Sequence, residues 1–180
     1  YLANMGFVSS RSGDRLWNKL NSSRVGLEIC AMAGAEAVIR TFGAIRGTEP
    51  QHMGKTRCYV AWGKNPKATN IHSHVLTKDI HPSIAVDPFR SESAKAADLH
   101  IQPRPASDPV LAMALMRLMI ERGWADEDFI AQHTTGFEAL HERVMRTSLG
   151  EAADICNVPA PRIEEFAELY AHNKPALIHI

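Results

Sequence analysis

Three short stretches of the 180-residue chain combine residue types suited to holding a phosphorylated ligand. In Trp62-Gly63-Lys64-Asn65-Pro66, Gly63 lets backbone approach a phosphate, Lys64 supplies a cation and Asn65 an amide. On these residues alone a plain β-turn is the competing reading. Asp87-Pro88-Phe89-Arg90-Ser91-Glu92-Ser93 opens 24 residues after Gly63 with an acid, where nucleotide-binding folds place the group that accepts hydrogen bonds from a ribose. Arg90 could face phosphate, with Ser91 or Ser93 donating to it; a helix cap by Ser91 beside a solvated Arg90 stands against that. In Arg104-Pro105-Ala106-Ser107-Asp108, Asp108 can cap the helix that follows. Its carboxylate can equally take a pair of hydrogen bonds from the N1 and N2 edge of guanine.

Cys30 precedes the small-residue run Ala31-Met32-Ala33-Gly34-Ala35. A thiolate at such a helix start is stabilised by the helix dipole and can bind a soft metal; the alternative is a buried small hydrophobe. Cys30, Cys58 and Cys156 are odd in number and contain no CxxC pair. They exclude a disulfide framework and a zinc or iron-sulfur site built wholly from this segment. Their usage favours a reducing, cytoplasmic compartment and leaves the periplasm open. His72 and His74, two apart in a helix, point to different faces and receive no role.

The elements that must position these loops alternate. Arg57–Trp62 reads as a strand, Ile71–Lys78 as a helix, Ser83–Val86 as a strand ending at Asp87-Pro88, Glu92–Ala97 as a short helix, and Leu99–Ile101 as a third strand. This β-α-β-α-β order predicts an α/β fold, a parallel sheet covered by helices on both faces, in which ligands sit beyond the carboxyl ends of the strands. Asp108-Pro109 starts a helix that runs to Arg122 and is too apolar for a narrow stripe, so it should be largely buried. Shorter helices are expected over Asp126–Gln132 and Gly136–Arg146. Arg162–His172 forms a further helix with Ile163, Phe166 and Tyr170 on one face, followed by a strand at Ala176–Ile180. Upstream, Ile29–Phe42 forms a helix closed by Gly43.

Composition narrows the partner. Twenty basic and twenty acidic residues give a formal net charge of +0, and 45% of residues are apolar: a folded domain with no global charge to attract nucleic acid or an anionic membrane. No run approaches eighteen apolar residues, so this segment should not insert in a membrane, and a small molecule is the expected partner. The chain begins at Tyr1 rather than Met, and its last apolar run stops before any turn residue, as a cut strand would. A fragment of a longer protein is expected.

Taken in order and spacing, the three loops resemble the dinucleotide-binding domain of the molybdopterin oxidoreductases of the dimethyl sulfoxide reductase type, a family that includes formate dehydrogenases and nitrate reductases. The family pattern runs Trp-Gly-x-Asn-Pro, then Asp-Pro-Arg-x-Thr-x-Thr-Ala, then Arg-Pro-Gly-Thr-Asp before an apolar helix; Trp62–Pro66, Asp87–Ala94 and Arg104–Asp108 follow it. Ala97-Asp98-Leu99-His100 and Gly123–Ile130 are also similar to it, and the likeness covers about residues 28 to 180. It implies a Rossmann-like domain over 29–180, after a partial preceding segment 1–28, that holds molybdopterin guanine dinucleotide. Trp62, Gly63, Lys64, Asn65 and Pro66 would touch pyrophosphate and nucleoside. Asp87, Pro88, Arg90 and Ser91 would hold ribose and guanine, and Ala106, Ser107 and Asp108 would close over the guanine. Cys30 matches the place of the family's ligand to Mo or W, where a thiolate would join the soft pterin sulfurs.

The resemblance further implies a 4Fe-4S cluster in a part of the protein not included here, a small substrate of the formate, nitrate or S/N-oxide class, further domains of the same chain, and electron-transfer subunits. Phe89 departs from the pattern's Arg, and Ala106-Ser107 from its Gly-Thr. Ala31 stands where many formate dehydrogenases have His, so formate is not singled out. The alternative is a structural or electron-relay subunit of the same fold without molybdenum, as in the large iron-sulfur subunit of respiratory complex I; Cys30 and Asp108 speak against it. A nicotinamide dehydrogenase is a weaker choice, because no GxGxxG is present.

Overall fold

The computed structural model describes residues 13–23, 29–45 and 47–180, and of residues 29–31 the backbone only. The chain forms two compact units, Tyr1–Gly47 and Thr48–Ile180. The expected boundary at 28/29 falls beside residues outside the described set. In the first unit lie α1 (Asp14–Lys19) and α2 (Ile29–Phe42). Helix α2 has the bounds its small and apolar residues predict, and Gly43 closes it at φ +77°, a left-handed conformation that costs a glycine little.

The second unit is built on a parallel sheet. After α3 (Pro50–Met53) come β1 (Cys58–Trp62), α4 (Pro66–Thr69), α5 (Ile71–Thr77), β2 (Ser83–Val86), α6 (Glu92–Ala96) and β3 (Leu99–Ile101). They are followed by α7 (Asp108–Glu121), α8 (Glu127–His133), α9 (Phe137–Met145), α10 (Leu149–Cys156), α11 (Ala160–His172) and β4 (Ala176–His179). The strand order is β3-β2-β1-β4, with Val60 opposite Ile84 on one side and Ile178 on the other. From β1 the chain steps outward to β2 and β3, then returns to the far side of β1. The strand order therefore reverses between β1 and β4.

Side chains alternate across each strand, so one sheet face collects Cys58, Val60, Ile84, Val86, Leu99 and Ile101. They pack against Leu111, Leu115 and Leu118 of α7, Cys156 of α10, and Ile163 and Phe166 of α11, which together form the main core. The opposite face carries a smaller cluster of Tyr59, Ala61 and Ile80 with Leu177 against it. His74 and Thr77 of α5 and Ala96 of α6 line a pocket of about 60 Å³ beside Ala61 and Ala85. Helices cover both faces, as the alternation of elements predicts.

Several elements differ from the sequence expectation. Helices α1, α3, α4 and α10 were not expected. Helix α10 starts at a reciprocal cap in which Ser148 Oγ accepts from Glu151 N and the Glu151 carboxylate accepts from Ser148 N at 2.8 Å. Asp108 does not cap α7: Ser107 holds the cap position without a side-chain capping bond to the helix, and Asp108 is the first helical residue with its carboxylate turned elsewhere.

Candidate functional site

All three loops emerge at the carboxyl edge of the sheet, because β1, β2 and β3 are parallel and each loop follows one of them. After β1 the backbone turns at Gly63, φ +63°. Its N–H donates to Val86 O at 2.8 Å, and a Cβ built on it would meet nothing within 4 Å, so open space lies over this turn. Lys64 Nζ reaches Ile180 O at 3.1 Å, just past β4, across the point where the strand order reverses. Asn65 Oδ1 accepts from Ser93 Oγ at 2.8 Å and Ser93 N at 3.1 Å, which ties the first loop to the start of α6. Pro66 is buried as the first residue of α4.

In the second loop Asp87 Oδ1 accepts from Phe89 N at 2.8 Å and so sets the turn around Pro88. Asp87 O lies 2.8 Å from His100 Nε2, and Pro88 O accepts from Gln102 Nε2 at 2.8 Å; both bonds bind this loop to β3 and its exit. Ser91 is buried and caps α6, its Oγ accepting from Ala94 N at 3.3 Å. The capping alternative therefore holds for Ser91. Arg90 is exposed and makes no hydrogen bond or ion pair among the described residues.

The third loop turns at Ala106, φ +68°, at the position where the family pattern has Gly. An alanine is strained in this left-handed region by about 1–2 kcal/mol. Ser107 is buried; its Oγ donates to Arg104 O at 2.6 Å, and its carbonyl oxygen accepts from the Cys156 thiol at 3.6 Å. Burial pushes the Cys156 thiol upward, more strongly than that bond lowers it, so it is a neutral clamp and not a nucleophile. Asp108 Oδ1 accepts from Trp62 Nε1 at 2.8 Å, joining the third loop to the end of β1.

Pro88, Gln102, Pro103, Arg104, Pro105 and Asn157 line a cleft of about 490 Å³ between the second and third loops. That volume falls among small-molecule sites. Asn157 comes from outside the three motifs. It closes α10 in a left-handed conformation, and the Ser148…Glu151 cap followed by Asn157 was the signal that could have found it. At the end of β4, Tyr59 Oη and His179 Nδ1 are 2.8 Å apart, and burial first and the Lys64 charge second push the His179 pKa down. A neutral His179 leaves Lys64 as the cation there.

Cys30 is the second residue of α2; its side chain lies outside the described residues, in the other unit. Among the described residues no group of three or more His, Cys, Asp or Glu side chains could hold a metal, and Cys58 and Cys156 are free and buried. No described helix is long and apolar enough to cross a membrane.

No family model matches the chain. It is 26% identical over 185 residues to probable oxidoreductase YoaE of Bacillus subtilis, covering 100% of this chain and 27% of that protein. To the assimilatory nitrate reductase catalytic subunit of the same organism it is 30% identical, covering 87% and 24%. To formate dehydrogenase H of Escherichia coli it is 31% identical, covering 70% and 18%. Acetylene hydratase from Pelobacter acetylenicus superposes with a TM-score of 0.75 at 25% identity, over 84% of this chain and 21% of that one. The chain belongs to the molybdopterin oxidoreductase family. The family is one of oxidoreductases that carry molybdenum or tungsten with a pterin cofactor, and the chain spans about a quarter of the length of the curated relatives it matches first.

Proposed function

We propose that residues 29–180 include the guanine-dinucleotide-binding domain of a molybdenum or tungsten oxidoreductase that holds molybdopterin guanine dinucleotide, with all three loops in the second unit, Thr48–Ile180. The observation that carries this reading is the convergence of the three loops on one carboxyl edge, beside the reversal of strand order between β1 and β4. The donor set suits the group. Lys64, Arg90 and Arg104 bring positive charge to the rim, Gly63 leaves backbone open, and Asp87 and Asp108 supply carboxylates.

In this reading Gly63, Lys64, Asn65 and Pro66 hold the pyrophosphate, with Lys64 its cation and Asn65 fixed by Ser93. Asp87, Pro88, Arg90 and Ser91 flank ribose and guanine; Ser91 contributes by capping α6 and so shaping the loop. Ala106, Ser107 and Asp108 close over the base, and Asp108 accepts from its N1–H and N2–H2 edge. Cys30 is assigned as the protein ligand to the metal. When bound, the metal-pterin group supplies two-electron exchange with a small substrate of the formate, nitrate or S/N-oxide class. A 4Fe-4S cluster, further domains and electron-transfer subunits belong to the same proposal.

Acid hydrolysis of the full-length protein, purified from cells supplied with molybdate or tungstate, should release guanine nucleotide. A metal-loaded protein that releases none overturns the reading. Replacing Cys30 by Ala should lower metal content while leaving the nucleotide-holding loops intact.

A further inference from the structure

We propose that Trp62 is a positioning residue for base selection: its indole N–H holds the Asp108 carboxylate in the orientation that a guanine edge requires. This rests on the reading of the carboxyl edge as a guanine dinucleotide site. An acidic residue opening a helix ordinarily serves that helix, by capping it or by facing its free amides. Asp108 instead turns its carboxylate 46 residues back along the chain, to Trp62 Nε1 at 2.8 Å.

The donor is well fixed. The Trp62 ring packs against the buried core, 6.0 Å from the Phe166 ring and tilted 52° to it, and an indole has one donor and no acceptor. One bond from an anchored ring defines the carboxylate plane. It leaves a lone pair on Oδ1, and Oδ2 has no partner among the described residues. Two coplanar acceptors match the paired N1–H and N2–H2 donors of guanine. Adenine and cytosine each present a ring-nitrogen acceptor beside an amino donor, which sets one carboxylate oxygen against a lone pair. Orientation of Asp108 is therefore a specificity device, and Trp62 acts through Asp108 and not on the pyrophosphate.

The test compares full-length wild type, Trp62→Phe, Asp108→Asn and the double variant, expressed with molybdate, by guanine nucleotide released per chain after extended dialysis, together with thermal unfolding. Asp108→Asn should lower retained guanine nucleotide by about tenfold or more, and Trp62→Phe by several-fold, as expected for losing a hydrogen bond to a charged group. The double variant should fall no further than Asp108→Asn, because the two residues act in series. Wild type that holds no guanine nucleotide overturns the site reading itself. Wild type that holds it while Trp62→Phe matches wild type, or losses that add in the double variant, overturn the role of Trp62 alone. If Trp62→Phe unfolds, replacing Trp62 with its benzothiophene analogue keeps the bicyclic ring and removes only the N–H. Undiminished retention in that protein likewise overturns the proposal.

Discussion

The two edges of the sheet treat polar side chains in opposite ways. At the amino edge, Asp98 Oδ2 is taken by Ser83 N at 2.7 Å, Ser83 Oγ at 2.8 Å and His81 Nδ1 at 2.7 Å, and Asp98 N donates back to Ser83 Oγ at 3.2 Å. Here polar chemistry is spent on fastening the start of β2 to the start of β3. At the carboxyl edge the internal bonds shape the loops: Asn65 with Ser93, Asp87 with Phe89 N, Ser107 with Arg104 O. Arg90 and Arg104 are left exposed above them, and Gly63 faces open space. Charge left uncommitted over a fastened scaffold distinguishes a place for a ligand from a joint in the framework.

Both edges stand on one core, and its loss should have the largest effect. Phe166 is 1% exposed and lies beneath Trp62. Phe166→Ala should destabilise the chain by about 3–5 kcal/mol in denaturant unfolding, through lost burial and the cavity left behind. It should also free Trp62 and so erase the contrast between edges. A change under about 1 kcal/mol would show that the sheet does not depend on this face.

Next in size is the amino edge. Partial burial pushes the Asp98 carboxyl up, but the Ser83 N–H, the His81 ring and the Ser83 hydroxyl outweigh it and hold it below the usual carboxylate range. A carboxyl depressed in the folded state stabilises fully above its unfolded value, near 3.9, and loses that contribution as pH falls through the lower folded value. Asp98→Asn should therefore cost about 1 kcal/mol at neutral pH, a figure reduced because the side chain is 43% exposed. The difference from wild type should shrink below about pH 4, measured by denaturant midpoints across pH. Retained guanine nucleotide should not change, and a loss there would break the separation of edges.

The strands and the three loops were legible because their signals are local: short β-prone runs of three to five residues closed by Gly63, Asp87-Pro88 or Pro103. What was not legible depends on partners distant in the chain. The Asp108-Pro109 pair reads as a cap, and nothing near it reveals that Trp62, on another element, claims the carboxylate. The same holds for Cys156, whose thiol reaches the Ser107 carbonyl only once α10 packs beside the third loop. Helix α10 carries a local signal of its own, the reciprocal cap of Ser148 and Glu151. Ala106 lies between the cases: its left-handed φ is unusual for alanine by type, yet the family pattern's Gly marks the place.

Ala106 tests whether strain at the carboxyl edge serves the loop. Ala106→Gly relieves the cost of the left-handed conformation, about 1–2 kcal/mol, and adds unfolded-state freedom worth about 0.5–1 kcal/mol against it. A net gain of about 0.5 kcal/mol is expected in denaturant unfolding. Destabilisation would mean that the Ala106 methyl packs in a way its exposure does not suggest.

The smallest effect on stability should come from Arg90, and it sharpens the comparison most. Its guanidinium has no partner among the described residues, so Arg90→Ala should alter unfolding free energy by less than about 0.5 kcal/mol. Retention of guanine dinucleotide by the full-length protein should nonetheless fall several-fold, because an exposed cation over the second loop has a function only when an anion is bound. The loss should be largest at low ionic strength and fade as salt screens the rim, since exposed charges act over about 8–10 Å at physiological ionic strength. Asp98→Asn should give the reverse pattern, lower stability with retention intact. If Arg90→Ala destabilised the chain while holding nucleotide as wild type does, the two edges would not differ in kind, and the carboxyl edge would be framework too.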